Sequence, residues 1–299
     1  MIRRLFLRQK AKSESASQLD LGIPRPIYKD RNHASGGRSF YFFDFDDNVA
    51  FLSTPIFVFH KETGKRVALT SGEYAQYHTT VGKSGPYKDF YLDYSDKGSF
   101  QSFRDKHPKL VKKVFGKKEQ FENDLLEALQ RPEYEWKGPS WECFHHAVLN
   151  QRPLSLITAR GHNPETLKAG IRRLVKMKYL PCEPNYLSLF PVTNLQVQEG
   201  LGQPGSNDVA GLKKLAIRRS VEIAIEQYGE DKPHRFGMSD DDPKNIKLVF
   251  ESMLELKKEF PHFSFFVIDT RRGGMNKWEV YDDFLEDEGR LDMRQMELF

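Results

Sequence analysis

The stretch Phe40-Tyr41-Phe42-Phe43-Asp44-Phe45-Asp46-Asp47-Asn48 decides how this chain is read. Its first four residues form a continuous aromatic run, the pattern of a strand buried on both faces, and the run stops at Asp44. Three carboxylates, Asp44, Asp46 and Asp47, then fall within four residues. Alternation along an extended chain points Asp44 and Asp46 the same way and turns Asp47 aside, so Asp47 is expected to be a turn residue or a support behind the other two. Two carboxylates in one pocket repel by roughly several kcal/mol at intermediate dielectric unless a proton or a cation intervenes. A divalent cation is the simplest resolution, and oxygen-only ligands favour Mg²⁺.

Outward from this stretch, strand-like and helix-like patterns alternate. Residues 154–157, 186–192, 235–238 and 263–268 join 40–43 as five strands of the buried type. Helical periodicity fills 164–178, 208–228 and 243–259, with Pro164 and Pro243 at first helical positions, where the missing N–H costs nothing. Strands separated by helices of this length predict an α/β, doubly wound fold whose mostly parallel, five-stranded sheet is covered on both faces. Ligands of such sheets bind beyond the carboxyl ends of the strands. Asp44, Thr158 and Asp240 each stand at one of those ends.

About 100 residues separate the first strand from the second, far more than an ordinary strand-to-helix connection. Residues 54–77 open with a hairpin pattern around Glu62-Thr63-Gly64-Lys65, and helices are expected at 119–130 and 140–150, the latter with Ser140 as N-cap. The expected organisation is a core of 38–50 and 150–275 interrupted by a flap hairpin and cap insertion at 51–149. Composition sets further limits. The longest apolar runs fall far short of the roughly 20 residues of a membrane-spanning helix. Cys143 and Cys182 alone exclude a disulfide framework, and a reducing, cytoplasmic setting is expected. Residues 1–40 hold nine Lys/Arg and three acids, a charge of +6 against +4 for the whole chain, which leaves −2 for the rest. The basic excess therefore belongs to a tail, 1–37, expected to be flexible; organelle targeting by it is the lesser alternative. Residues 276–299 make an acidic C-terminal segment, of which 282–292 is expected to be solvated.

A second acidic cluster, Ser239-Asp240-Asp241-Asp242-Pro243, falls between a strand and a helix. Carboxylates there can simply cap free N–H groups, the preferred reading of Asp242. Asp240 and Asp241 are expected to complete a metal site with the first cluster, and which of the three acids ligates stays open. The order Asp44-Phe45-Asp46, then Thr158 closing Leu-Ser-Leu-Ile-Thr, then Lys213 or Lys214 opening a later helix, then Asp240 and Asp241, resembles the haloacid dehalogenase superfamily of phosphotransferases. The resemblance covers roughly residues 38–270, with the insertion unmatched.

That resemblance implies a Rossmann-like core with a cap, and a Mg²⁺-dependent phosphatase. Asp44 would be the nucleophile, taking the phosphoryl group as an aspartyl-phosphate. Asp46 would protonate the leaving oxygen and then deprotonate water. Mg²⁺ would be held by Asp44, the backbone carbonyl of Asp46 and an acid of the 240 cluster, while Thr158 and Lys213 donate to phosphoryl oxygens. An acid at position 46 argues for a phosphatase, since dehalogenating and ion-pumping members lack it. The chain departs from the pattern at Asn48, where Thr or Val is usual, and at Ser239, where Gly is common.

Other residues carry weaker expectations. Lys213 is preferred to Lys214 as the phosphate lysine because Ala216 and Ile217 follow it at helical spacing. Arg160 either helps hold an anionic substrate or belongs to the turn into a helix capped by Asn163, and the turn is favoured. His145 and His146 are read as packing residues, and 203–207 as a flexible connection. The basic run 106–118 is read as a solvated face rather than a polyanion site. The expected partner is a phosphorylated small molecule, with no membrane partner. Processing of nucleic-acid ends and a non-catalytic phosphate-binding module are the alternatives.

Overall fold

The computed structural model describes residues 25–107, 116–271, 274–281 and the backbone of 293–296. Its strands are β1 (Ser39–Phe43), β2 (Ile56–His60), β3 (Arg66–Leu69), β4 (Phe90–Tyr91), β5 (Leu154–Thr158), β6 (Tyr186–Pro191), β7 (Arg235–Asp240), β8 (Ser264–Asp269), β9 (Asn276–Val280) and β10 (Met293–Met296). Its helices are α1 (Ser71–Tyr77), α2 (Gln120–Ala128), α3 (Glu133–Trp136), α4 (Trp141–Leu149), α5 (Pro164–Lys176), α6 (Leu195–Gly200), α7 (Val209–Tyr228) and α8 (Pro243–Glu259).

β1 is central because both of its faces are buried. Phe40 and Phe42 project into an apolar layer with Ile217 and Val221 of α7 and Val249 and Met253 of α8. Phe43 projects the other way, among Phe121 of α2, Phe144 of α4 and Ile171 of α5. The five expected strands form one parallel sheet in the order β8-β7-β1-β5-β6. The chain is thus α/β, with a mostly parallel sheet covered on both faces. From β1 it proceeds to β5 and β6 on one side, then crosses to β7 and β8 on the other. The carboxyl edge between β1 and β7 is where strand order reverses, the place at which such sheets open a crevice.

Several expectations need correction. β9 and β10 extend the sheet antiparallel beyond β8, so the core does not end at 275. The 51–149 insertion is not one cap. Its hairpin is present, β2 paired with β3 around residues 61–65, and with β4 it makes a separate three-stranded sheet. By contrast α2 and α4 belong to the main core, since Phe121, Leu125, Trp141, Phe144 and Val148 pack with Leu156 and Leu167. Both helices carry an apolar stripe that is buried in this core, α2 chiefly against α5.

Ser140 precedes α4 but makes no capping bond; its hydroxyl goes to Asn48 instead. The end of the N-terminal segment is also held down. Asp30 pairs with Arg152 at 2.7 Å in a buried contact, and the Tyr28 N–H donates to Asn150. Residues 203–207 are tied to Gln198, which bonds Gly205 N–H and the Ser206 carbonyl. The basic tail to residue 24, positions 108–115 of the basic run and the acidic stretch 282–292 lie outside the described residues. Among the described residues no helix is long and apolar enough to cross a membrane.

Helix α5 crosses α2 closely at Gly170, where an added Cβ would come within 2.5 Å of the Phe121 ring and 2.9 Å of Leu125. Helix propensity alone favours Ala over Gly by about 1 kcal/mol. Overpacking against a buried ring costs about 1–3 kcal/mol and should win. Gly170→Ala is therefore expected to lower stability by urea denaturation, whereas a rise would mean the α2–α5 contact yields freely.

Candidate active site

The two acidic clusters meet at the β1–β7 edge. The Asp44 N–H donates to the Ser239 carbonyl at 3.1 Å, the last backbone bond between the strands, and beyond it Asp44 and Asp240 stand at neighbouring strand ends. One carboxylate oxygen from each of Asp44, Asp240 and Asp241 lies within 4.8 Å of the others. At that spacing each pair of charges repels by on the order of 3 kcal/mol at an effective dielectric near 20. Lys213 of α7, 2% exposed, offsets part of this, its Nζ lying 3.0 Å from Asp240 Oδ2 and 3.4 Å from Asp44 Oδ2.

Of the two candidate lysines, Lys213 faces the carboxylates, whereas Lys214 faces away and pairs with Glu255. Asp242 caps α8, accepting from the Lys244 N–H. Asp240 Oδ1 accepts from Asp242 N–H at 3.0 Å and from the Asn245 side chain at 3.1 Å, so both Asp240 oxygens have partners and Oδ2, with Lys213 alone, keeps a lone pair. Asp44 is not: its Oδ1 is buried without a hydrogen-bond partner.

The electrostatics follow from this crowding. Burial raises the Asp44 carboxyl well above the ordinary range, opposed by Lys213 and reinforced by Asp240, Asp241 and Asp46. Asp241 is pushed up to about 7 by burial, then by Asp240 and Asp47. Burial alone would lower the Lys213 ammonium, but Asp240 and Asp44 together hold it above its usual value. Oxygen donors with an excess of negative charge and one buried, unpartnered carboxylate oxygen fit a small hard cation such as Mg²⁺. Asp44, Asp240 and Asp241 are the side chains that could hold it.

Asp46 does not share that cluster. The backbone turns after Asp44: Phe45 buries its ring against Phe121 and Phe144, and Asp47 adopts a left-handed φ of 58°. Alternation consequently fails here. Asp47 is the turn residue expected of it, and its carboxylate reaches Ser71 at the start of α1. The Asp46 carboxylate is gripped by Arg160, with Nε at 2.8 Å from Oδ2 and Nη2 at 2.5 Å from Oδ1. Thr158 also donates to Asp46 Oδ2, at 3.3 Å.

Arg160 is neither a free anion-binding group nor only part of a turn. Its guanidinium is fully buried between the Phe103 and Phe121 rings and donates to Thr54, which donates in turn to Asp124. The turn itself is as read, with Asn163 capping α5. His146 stacks on Tyr28, a packing role.

Sequence reasoning missed Thr54, Phe103, Asn245 and Thr270 as residues around the site. Asn245 carried a signal, standing in the first turn of a helix that begins just after Asp240, and so did Thr270, which follows β8 at the carboxyl edge; Thr54 and Phe103 arrive from the insertion. No family model matches the chain, nor does any curated protein or solved structure, so the chemistry stands on the site's own geometry.

Removing Lys213 leaves Asp44 and Asp240 buried without their shared cation. Lys213→Met is expected to cost the metal-free protein about 3–5 kcal/mol at pH 8 by urea denaturation. The loss should shrink at pH 5. Asp44 holds its proton more tightly folded than unfolded, so its protonation stabilises the native state as pH falls. Equal losses at both pH values would contradict this.

Proposed function

We propose that this chain is a Mg²⁺-dependent phosphohydrolase of the haloacid dehalogenase kind, acting through an aspartyl-phosphate on Asp44. The observation that carries the reading is the buried, unpartnered Asp44 Oδ1 beside Asp240, Asp241 and Lys213, at the edge where strand order reverses. When bound, Mg²⁺ would neutralise the carboxylates and offset charge on the transferring phosphoryl group.

The chain's own residues supply the rest. Asp44 attacks phosphorus, and the bond to the ester oxygen breaks. Asp46 delivers a proton to that oxygen, then takes one from the water that attacks the phosphorus and releases phosphate from Asp44. Lys213 orients Asp44 and favours its ionised form against burial, while the Thr158 hydroxyl donates to a phosphoryl oxygen. For this chemistry Asp46 must exchange its bond to Arg160 for one to the leaving oxygen. The small sheet of β2, β3 and β4 with α1 is the cap of this reading: Ser71 touches Asp47, and His78 just beyond α1 lies 3.4 Å from Lys244 of α8. α1 thus runs between two elements that border the carboxylates.

The Asp46–Arg160 pair favours one second reading, a phosphate-binding module that does not turn over, because both Asp46 oxygens are engaged. Phosphomonoesters of three kinds, small metabolites, phosphopeptides and end-phosphorylated oligonucleotides, separate the two. Hydrolysis that requires Mg²⁺ and falls to background in Asp44→Asn supports the enzyme, and phosphate binding without turnover supports the module.

Metal binding should also depend on pH. Because the Asp241 carboxyl is raised to about 7, the metal-free protein loses stability as pH climbs from about 4 to about 7. Mg²⁺ must displace that proton, so its rise in Tm should grow between pH 5.5 and pH 8. A rise independent of pH would exclude Asp241 from the metal's surroundings.

A further inference from the structure

Asn48 and Ser239, the two departures from the resembled pattern, touch each other. The Asn48 side chain is wholly buried. Its Nδ2 donates toward the Asp44 carbonyl at 3.0 Å, the Ser239 carbonyl at 3.1 Å and the Ser239 Oγ at 2.9 Å. Its Oδ1 accepts from Ser140 Oγ at 2.8 Å and Thr270 Oγ1 at 2.9 Å. Carbonyls only accept, so the orientation of the amide is settled by its partners. With the single Thr270 hydroxyl proton given to Asn48, the Thr270 backbone N–H still donates to the Asp240 carbonyl at 3.3 Å.

One side chain therefore ties the backbone of Asp44 to that of Ser239 and, through Thr270, to Asp240. The tie sits where the β1–β7 ladder has ended, and where repulsion between carboxylates would otherwise part the strand ends. A threonine has one hydroxyl and a shorter reach, and could not bridge both carbonyls. It would also leave the Ser239 Oγ without its donor, which a glycine at 239 would not.

We propose that Asn48 is a positioning residue for the metal site, its carboxamide setting the gap between the Asp44 and Asp240 carboxylates in partnership with Ser239. The inference rests on the metal-dependent reading of the site. It predicts that the two departures form one coupled change.

Mg²⁺ affinity, measured by titration calorimetry on substrate-free protein, tests this without reference to turnover. Asn48→Thr should weaken binding about tenfold or more. Asn48→Thr combined with Ser239→Gly should bind more tightly than Asn48→Thr alone. Ser140→Ala, which removes one donor to the amide and touches no carboxylate of the site, guards against misfolding of the harsher variants and should still weaken binding measurably. Folded Asn48→Thr or Ser140→Ala protein with a lowered Tm but wild-type affinity would reduce Asn48 to a purely structural role and overturn the proposal. Independent effects at 48 and 239 would overturn the coupling. Wild-type protein that binds no Mg²⁺ would instead overturn the reading beneath it, and the proposal with it.

Discussion

Two adjacent parallel strands end in carboxylates, and the sheet forces those ends together. Lys213 answers part of that repulsion from the facing helix, at 3.0 Å from Asp240 and 3.4 Å from Asp44. Much else in the region follows from the same constraint. β1 must be buried on both faces to hold Asp44 in place, and its alternating aromatics supply that burial. α7 must lie on one face of the sheet for a lysine near its start to reach the strand ends. α8 must begin immediately after Asp240, so that its first-turn groups, Asp242 N–H and Asn245, hold the outer oxygen of Asp240.

Around that cluster the remaining charges are sorted rather than pooled. Asp242 is committed to capping α8, Asp47 to a turn against α1, and Asp46 to Arg160. Arg160 is in turn fixed by two aromatic rings, one of which, Phe121, also meets Gly170 of α5. Packing between α2 and α5 is thus connected to the position of Asp46. In the proposed chemistry the buried guanidinium would have to release Asp46, and Thr54, Phe103 and Phe121 are the groups that touch it.

Most of the sheet was legible in the sequence because its signals are local. Aromatic and β-branched runs mark the five parallel strands, Pro164 and Pro243 mark helix starts, and Asp44, Thr158 and Asp240 each follow a run directly. β9 was hidden by its polar, half-buried residues, and both β9 and β10 fall in a segment that reads as acidic. The cap was overdrawn because length alone cannot tell an inserted layer from helices that return to the core; the apolar faces of α2 and α4 decide it. Alternation placed Asp46 beside Asp44, and failed because Phe45 is buried and Asp47 takes a left-handed turn. Asn48 was noticed only as a departure, since its five partners come from positions 44, 140, 239 and 270.

The central claim is that Asp44 is a nucleophile beside a divalent cation held by the strand-end carboxylates. A crystal structure grown with Mn²⁺ and beryllofluoride, a mimic of a phosphorylated aspartate, tests both halves together. An anomalous peak is expected between the carboxylates of Asp44 and the 240 cluster, with the beryllium of the beryllofluoride bonded to an Asp44 oxygen. A vacant cluster under saturating metal, or beryllofluoride bonded to any other carboxylate, would contradict it.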